Sequence, residues 1–302
     1  ERSGRAVAVK RLHAGRHRWR FEREAGVLET LRQLAHPALV QGIDVAPDGD
    51  GTAPPCLILE YLPGPDLRRR LDAARAQGVR LPWPEVAALF VRYLDGLEAL
   101  HRAGLVHRDL KPANLYAPVG RPAEGRLLDF GIACEQEGTA SLQGLPPGTL
   151  DYMAPELAVG GSSRGSPQAD LFALGCSLFE ALIGRLPLAR LPSDEVPALR
   201  ALCARSETES SFRSAWEPMD DPLFDENPGL AAICRRALAF DPRDRYGGAD
   251  ELDGTWSGAG AAAMRQALVR VLDEADAGSS VPAPLDGVAE SDPPPTSEGT
   301  VT

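Results

Sequence analysis

The stretch "QADLFALGCSLFEALIG", residues 168–184, is apolar nearly all the way round a helical wheel. A surface helix needs one apolar stripe, whereas a helix apolar on every side has to run through the middle of a core. This segment therefore demands a mainly helical domain packed around it. "EVAALFVRYLDGLEALHRAG", residues 85–104, supplies a second helix for that domain. Its Val86, Leu89, Phe90, Tyr93, Leu94, Leu97 and Leu100 share one stripe, and Gly104 marks a C-terminal stop.

Upstream the pattern changes. Ala6-Val7-Ala8-Val9 is a strand-like run ending on Lys10, and "AHPALVQGIDV" and "CLILEYL" are β-rich runs joined by the hairpin-like "APDGDGTAPP". Between them "FEREAGVLETLRQL" sets Phe21, Ala25, Leu28 and Leu31 at helical spacing. The Asp48/Asp50 pair lacks the remaining ligands and the closing Glu of a calcium loop, so it is assigned to a turn. "LPGPDL" marks a boundary, and beyond Asp276 the chain turns to Pro, Gly, Ser and acid, the composition of a disordered tail or linker. The expected organisation is α+β, with a small β-rich piece over residues 1–62, a larger helical piece over 63–275 and a tail over 276–302.

Composition matters mainly for what it removes. A net charge of -11, with five acids and no bases from Asp276 onward, leaves no basic footprint for nucleic acid. Five scattered cysteines without a C-x-x-C pair fit a reducing compartment and neither a disulfide framework nor a zinc site. No run of about 18 apolar residues is present to span a membrane. The basic residues are unusual: of 32, all are Arg except Lys10 and Lys111. Arg is bulkier and forked, and substitutes poorly where a compact ammonium is required.

Lys111 falls in "LVHRDLKPANLYAP", directly after the amphipathic helix, where His107, Arg108, Asp109, Lys111 and Asn114 lie within eight residues. Asp129 follows in "LLDFGIA", and then comes "GTLDYMAPE", residues 148–156. A carboxylate at Asp109 is suited to accept a proton from a hydroxyl. Asn114 and Asp129 are hard oxygen ligands of the kind that hold Mg²⁺ against phosphates. Lys111 adds a point charge where negative charge spreads over a transferring phosphoryl group.

These motifs in this order (V-A-V-K, H-R-D-L-x-x-x-N, D-F-G and A-P-E) resemble the eukaryotic-type protein kinase family over residues 1 to about 255. The resemblance implies a bilobal fold with a β-rich small lobe and a mainly helical large lobe. It also implies transfer of the γ-phosphoryl of Mg-ATP (Mn²⁺ being an alternative metal) to protein Ser or Thr hydroxyls, with autophosphorylation. By resemblance, Asp109 is the catalytic base, Asn114 and Asp129 hold the metal, and Lys10 binds the α/β-phosphates while paired with Glu24. Lys111 and Thr149 match the serine/threonine branch. Leu59 is the gatekeeper, Glu60 and Leu62 make the hinge bonds, Ala8 and Leu115 enclose adenine, and Asp66 reaches the ribose. Glu156 pairs with Arg245, and Asp170 holds the catalytic-loop backbone.

His36, His101 and His107 are assigned structural roles, and Cys134 a buried one. Thr139 and Ser141, between D-F-G and A-P-E, are candidate autophosphorylation sites whose phosphate would pair with Arg108. The Arg-rich composition resembles that of bacterial proteins from GC-rich genomes. Expected partners are protein substrates and a second copy of the kinase, without nucleic acid; the expected location is the cytoplasm, with the cytoplasmic part of a longer membrane-anchored protein as the alternative.

The chain departs from the family in one respect: no G-x-G-x-x-G pattern precedes Lys10. The expectation is a fragment of a longer kinase with impaired ATP binding. The alternatives are a pseudokinase scaffold and a kinase-fold small-molecule phosphotransferase. Arg108, Lys111 and "GTLDYMAPE" argue against the last, which characteristically carries H-G-D-x-H-x-x-N and no A-P-E segment.

Overall fold

The all-apolar segment forms helix α5, Pro167–Ile183, and each of its 17 residues is buried. Ser166 caps its N-terminus by accepting from the Ala169 N–H, and Gly184 closes it at φ +82°, a left-handed conformation that glycine adopts without Cβ strain. The computed structural model describes residues 6–11, 26, 28–46, 56–129, 150–158, 165–187, 220–248 and 257–279. Glu24, Cys134, Thr139, Ser141 and Thr149 lie outside the described residues.

Around α5 the large lobe gathers helices α2 (Leu67–Ala76), α3 (Trp83–Arg102), α4 (Pro155–Ala158), α6 (Pro222–Glu226), α7 (Pro228–Ala237) and α8 (Ala259–Ser279). All seven stripe residues of α3 have no exposed surface, as the 3.6-residue periodicity requires. A buried ion pair fixes this core. Arg245, fully buried, reaches Glu156 through both terminal nitrogens at 2.7 and 2.9 Å, and its remaining donors meet carbonyls of Gln168, Ala239 and Phe240. Helix α8 packs along α3 and carries the fold through Ser279, past Asp276 where the composition shifts.

The small lobe is a three-stranded antiparallel sheet in the order β1 (Val7–Arg11), β3 (Cys56–Glu60), β2 (Gly42–Ala46). The register sets Ala8 opposite Leu59 and Lys10 opposite Leu57. Since side chains alternate along a strand, Ala8 and Lys10 share the better-covered face, while Val7 and Val9 are 42% and 51% exposed. Residues 28–34 form helix α1, whose Leu28 packs with Leu57 in a two-residue buried cluster.

"AHPALVQGIDV" does not form one strand. Residues 36–40 make a turn whose Ala38, Leu39 and Val40 are buried, and β2 begins only at Gly42. The turn hydrogen-bonds across to the large lobe, Leu127 N–H to Ala38 O at 2.9 Å and Val40 N–H to Leu127 O at 3.0 Å. Gly96 on α3 permits this approach, because a Cβ there would lie 2.9 Å from Ala38 O. The two lobes are thus stitched together well before the boundary near residue 62.

Candidate active site

Helix α3 ends at Arg102, and Gly104 at φ +72° turns the chain back toward the core. The extended segment that follows leads into a single 3₁₀ turn, Pro112–Asn114, and then into β4 (Leu115–Tyr116), which pairs with β5 (Arg126–Leu127). Asn114 O accepts from the Leu128 N–H at 2.9 Å, so Asp129 emerges beside Asn114.

This loop hangs on one buried carboxylate. Asp170, in the first turn of α5 and 2% exposed, accepts from the backbone N–H groups of His107 (2.7 Å) and Arg108 (2.8 Å). The Nε2 of fully buried His101 lies 3.0 Å from its Oδ2. Burial works to raise the Asp170 carboxyl pKa, but the hydrogen bond from His101, the neighbouring His107 and the Arg108 N–H outweigh it and hold the carboxyl below its ordinary value. The clamp also sustains backbone strain. Arg108 sits at φ +68° and Asp129 at φ +42°, each a left-handed conformation that costs a non-glycine residue about 1 kcal/mol or more. Gly165 packs against Arg108 so closely that a Cβ would lie 3.1 Å from its side chain. His107 is buried, which pushes its pKa down, and its Nε2 lies 2.9 Å from Leu128 O, where it braces the strand leading to Asp129.

The loop presents Asp109 with both carboxylate oxygens engaged. Lys111 Nζ is 2.9 Å from Oδ1, and Asn114 Nδ2 donates to Oδ2 at 2.9 Å and to the Asp109 carbonyl at 2.7 Å. Asp109 and Lys111 keep 23% and 22% of their side-chain surface in contact with solvent. From the small lobe Lys10 reaches Asp129, Nζ to Oδ1 at 3.1 Å, with 39% and 52% of the two side chains exposed. Five of the seven residues expected to carry the chemistry and its metal therefore converge: Asp109, Lys111, Asn114 and Asp129, with Lys10 joining from the small lobe. Glu24 and Thr149 lie outside the described residues.

Among the described residues no three His, Cys, Asp or Glu side chains cluster as a protein-only metal cage. Asn114 and Asp129, hard oxygen donors set side by side, suit a cation that completes its shell with phosphate and water.

Glu60, expected at the hinge, is held from behind. Glu60 is 7% exposed, and its Oε1 accepts from the Gln41 N–H (2.8 Å) and from Arg126 (3.0 Å) on β5. Its backbone N–H donates to Gln41 O at 3.0 Å. Ala8, Leu59 and Leu62 are half-buried, while Leu115 has no exposed surface and belongs to the main core. Asp66 caps α2, its Oδ1 accepting from the Arg69 N–H at 2.9 Å and its Oδ2 lying 3.4 Å from Arg69 Nε.

Sequence reasoning missed a second buried carboxylate. Glu180, 2% exposed on α5, is gripped by both terminal nitrogens of Arg68 at 2.9 and 2.8 Å and accepts from Tyr152 OH at 2.6 Å. An acid inside a helix otherwise apolar all round was the available signal, since a buried charge requires a partner.

A two-lobed fold with a strand lysine meeting a loop carboxylate, and a second carboxylate held between Lys and Asn, defines a phosphoryl-transfer scaffold. A profile of the protein kinase domain matches residues 1–257, and the chain belongs to that family. It is 34% identical over 260 residues to a Streptomyces coelicolor chain named "probable serine/threonine-protein kinase", covering 83% of this chain and 35% of that one. It is 32% identical over 261 residues to the serine/threonine-protein kinase pkn2 of Myxococcus xanthus, covering 82% of this chain and 29% of that one. The chain thus spans about a third of the length of these relatives. The family uses ATP and a divalent metal. Among the described residues no helix is long and apolar enough to cross a membrane.

Proposed function

We propose that this chain is the kinase unit of a protein that transfers the γ-phosphoryl of Mg-ATP to protein Ser or Thr hydroxyls. The observation that carries this reading is Asp109, held partly buried between Lys111 and Asn114 on a loop anchored to the core by Asp170. The names of the relatives support the same acceptor class.

In this reading Asp109 receives the proton of the substrate hydroxyl as the hydroxyl oxygen bonds to the γ-phosphorus. The bond from that phosphorus to the β–γ bridging oxygen breaks, and ADP departs with the electron pair. Lys111, beside Asp109, stabilises charge on the transferring group, and Lys10 binds the α/β-phosphates. Asn114 has its amide nitrogen committed to Asp109, so its amide oxygen and the Asp129 carboxylate are the atoms available to a divalent cation. Bound there, Mg²⁺ or Mn²⁺ would neutralise phosphate charge. Glu24 positions Lys10, and Thr149 lies on the substrate side of Asp109. Ala8, Leu59, Glu60, Leu62 and Leu115 belong to the adenine site, with Asp66 toward the ribose. A cytoplasmic location and transient self-association for autophosphorylation complete the proposal.

The test is phosphotransfer by the full-length protein from labelled ATP to a generic Ser/Thr protein, alongside metal-dependent nucleotide binding. Activity that requires a divalent metal and falls at least 100-fold in Asp129→Asn is expected. Absence of metal-dependent nucleotide binding in the full-length protein would overturn the reading in favour of a scaffold.

A further inference from the structure

Below the catalytic loop lies an open cleft of about 610 Å³ that runs from Lys111 and Pro112 to Gly184 and Arg185. Among the described residues its lining carries four cations, Arg68, Arg75, Lys111 and Arg185, against two carboxylates, Asp151 and Glu180. Glu180 contributes almost nothing to the exposed charge. It is 2% exposed, its Oε2 takes Arg68 and Tyr152, and its Oε1 takes Arg68 with Arg75 a further 3.6 Å away. This carboxylate is already saturated by cations of its own chain, so it has no capacity left for a basic residue of a substrate. The Arg68 guanidinium is matched by it, and burial, which lowers the Arg68 pKa, is overcome by the Glu180 hydrogen bond, so that the net shift is upward.

The remaining positive charge of the lining is carried by Arg75, which shares exposed Asp72 at 3.6 Å, and by Arg185. Arg75 is 56% exposed, and one terminal nitrogen donates to Gly184 O at 3.2 Å, which holds the guanidinium at the cleft wall. Arg185 lies over the Phe179 ring at 5.7 Å, and its Nη1 is buried without a hydrogen-bond acceptor among the described residues. A buried guanidinium nitrogen without an acceptor loses the free energy of a hydrogen bond until an anion or water supplies one. Phe179 and Arg185 are kept in place by α5 and by the Gly184 turn, so this face is positioned by the same helix that holds the catalytic loop.

We infer that this cleft selects acceptor peptides carrying an anionic side chain, a carboxylate or a phosphate, within a few residues of the Ser or Thr, and disfavours basic ones. The inference rests on the kinase reading above for its chemistry, and on the charge balance of the cleft for its selectivity. Arg75 and Arg185 are the specificity residues. Arg68 acts through Glu180 as a positioning residue, because it consumes a buried carboxylate of the cleft that could otherwise bind a cation.

The experiment uses the full-length protein and four peptides that share one acceptor Ser and differ only in flanking residues: neutral, Glu-rich, phosphoserine-containing and Arg-rich. Turnover is measured with Mg-ATP, and peptide binding is measured separately by fluorescence anisotropy without nucleotide, so that failure of the kinase reading leaves the selectivity reading testable. The expected result is a preference of about 5- to 10-fold for the anionic peptides over the neutral one, the scale of one or two partly exposed ion pairs. The Glu and phosphoserine arms report which anion is preferred. In Arg75→Glu/Arg185→Glu the anionic-to-neutral ratio should fall to about one or below. Arg121→Glu, an exposed charge reversal away from the cleft, should leave the ratio unchanged. Equal handling of all four peptides, a preference for the Arg-rich one, or a ratio unaffected by the Arg75/Arg185 reversal would overturn the inference.

Discussion

The two sides of the candidate site are held by different physics. On the large-lobe side Asp109 stands on a loop whose backbone is pinned by a carboxylate 2% exposed, inside a core that runs through α3, α5, α7 and α8. On the small-lobe side Lys10 sits on a three-stranded sheet backed by a two-residue buried cluster, and it meets Asp129 across an ion pair with about half of its surface in water. The first contact operates at low dielectric with little salt screening, whereas the second is the kind of pair worth about 0–1 kcal/mol. Asp109, the proposed base, is therefore set in place before substrate arrives, while the pair that Lys10, the proposed phosphate-binding lysine, makes with Asp129 is weak enough for a nucleotide to replace.

The contrast predicts a ranking. Asp170→Ala should cost the most, about 3–5 kcal/mol in urea denaturation, because it strands two backbone N–H groups and His101 in the core. A loss under 1 kcal/mol would mean that the loop is not pinned as described. Glu156→Gln should cost about 3 kcal/mol by leaving fully buried Arg245 without its counter-charge. This effect should add to that of a small-lobe substitution far from it.

Acid should act on the large lobe and on the turn that packs against it. His107 and His36 both have pKa values pushed below 6.5, in each case mainly by burial. The unfolded chain therefore binds protons below about pH 6.5 that the folded chain refuses, and stability falls as pH drops. The slope should be up to about 1.4 kcal/mol per pH unit for each histidine until its folded pKa is reached. Asp170 acts in the same sense at lower pH, since a depressed carboxyl contributes stability above its unfolded value of 3.8 that is lost as pH falls through the folded one. His107→Gln should flatten the urea midpoint between pH 6.5 and 5. The smallest stability effect belongs to Lys10→Met, under about 1 kcal/mol, although phosphotransfer should fall by orders of magnitude.

Most of the large lobe was legible because its signals are periodic and local. The α3 stripe, the all-apolar α5, and Asp109, Asn114 and Asp129 in short motifs each carry their meaning within a dozen residues. The Glu156–Arg245 pair joins residues 89 apart and came from family resemblance, not from any local pattern. The contacts that escaped are long-range pairings. His101 against Asp170, Glu60 against Arg126, and Glu180 against Arg68 and Tyr152 join residues separated by 28 to 112 positions. No period encodes them, although a lone acid in an apolar helix announces that a partner exists. The turn at 36–40 reads as strand from sequence because its apolar residues suit either, and only packing against Gly96 and Leu127 decides.

The central claim is that Asp109 is the proton acceptor, held in place beforehand by the large lobe. Single-turnover phosphotransfer by the full-length protein, wild type against Asp109→Asn, tests it most directly, with urea denaturation run on the same samples. The account predicts a rate loss of about 100- to 10,000-fold with stability changed by less than about 1 kcal/mol. A rate within about 10-fold of wild type, or a loss of activity matched by loss of the fold, would contradict it.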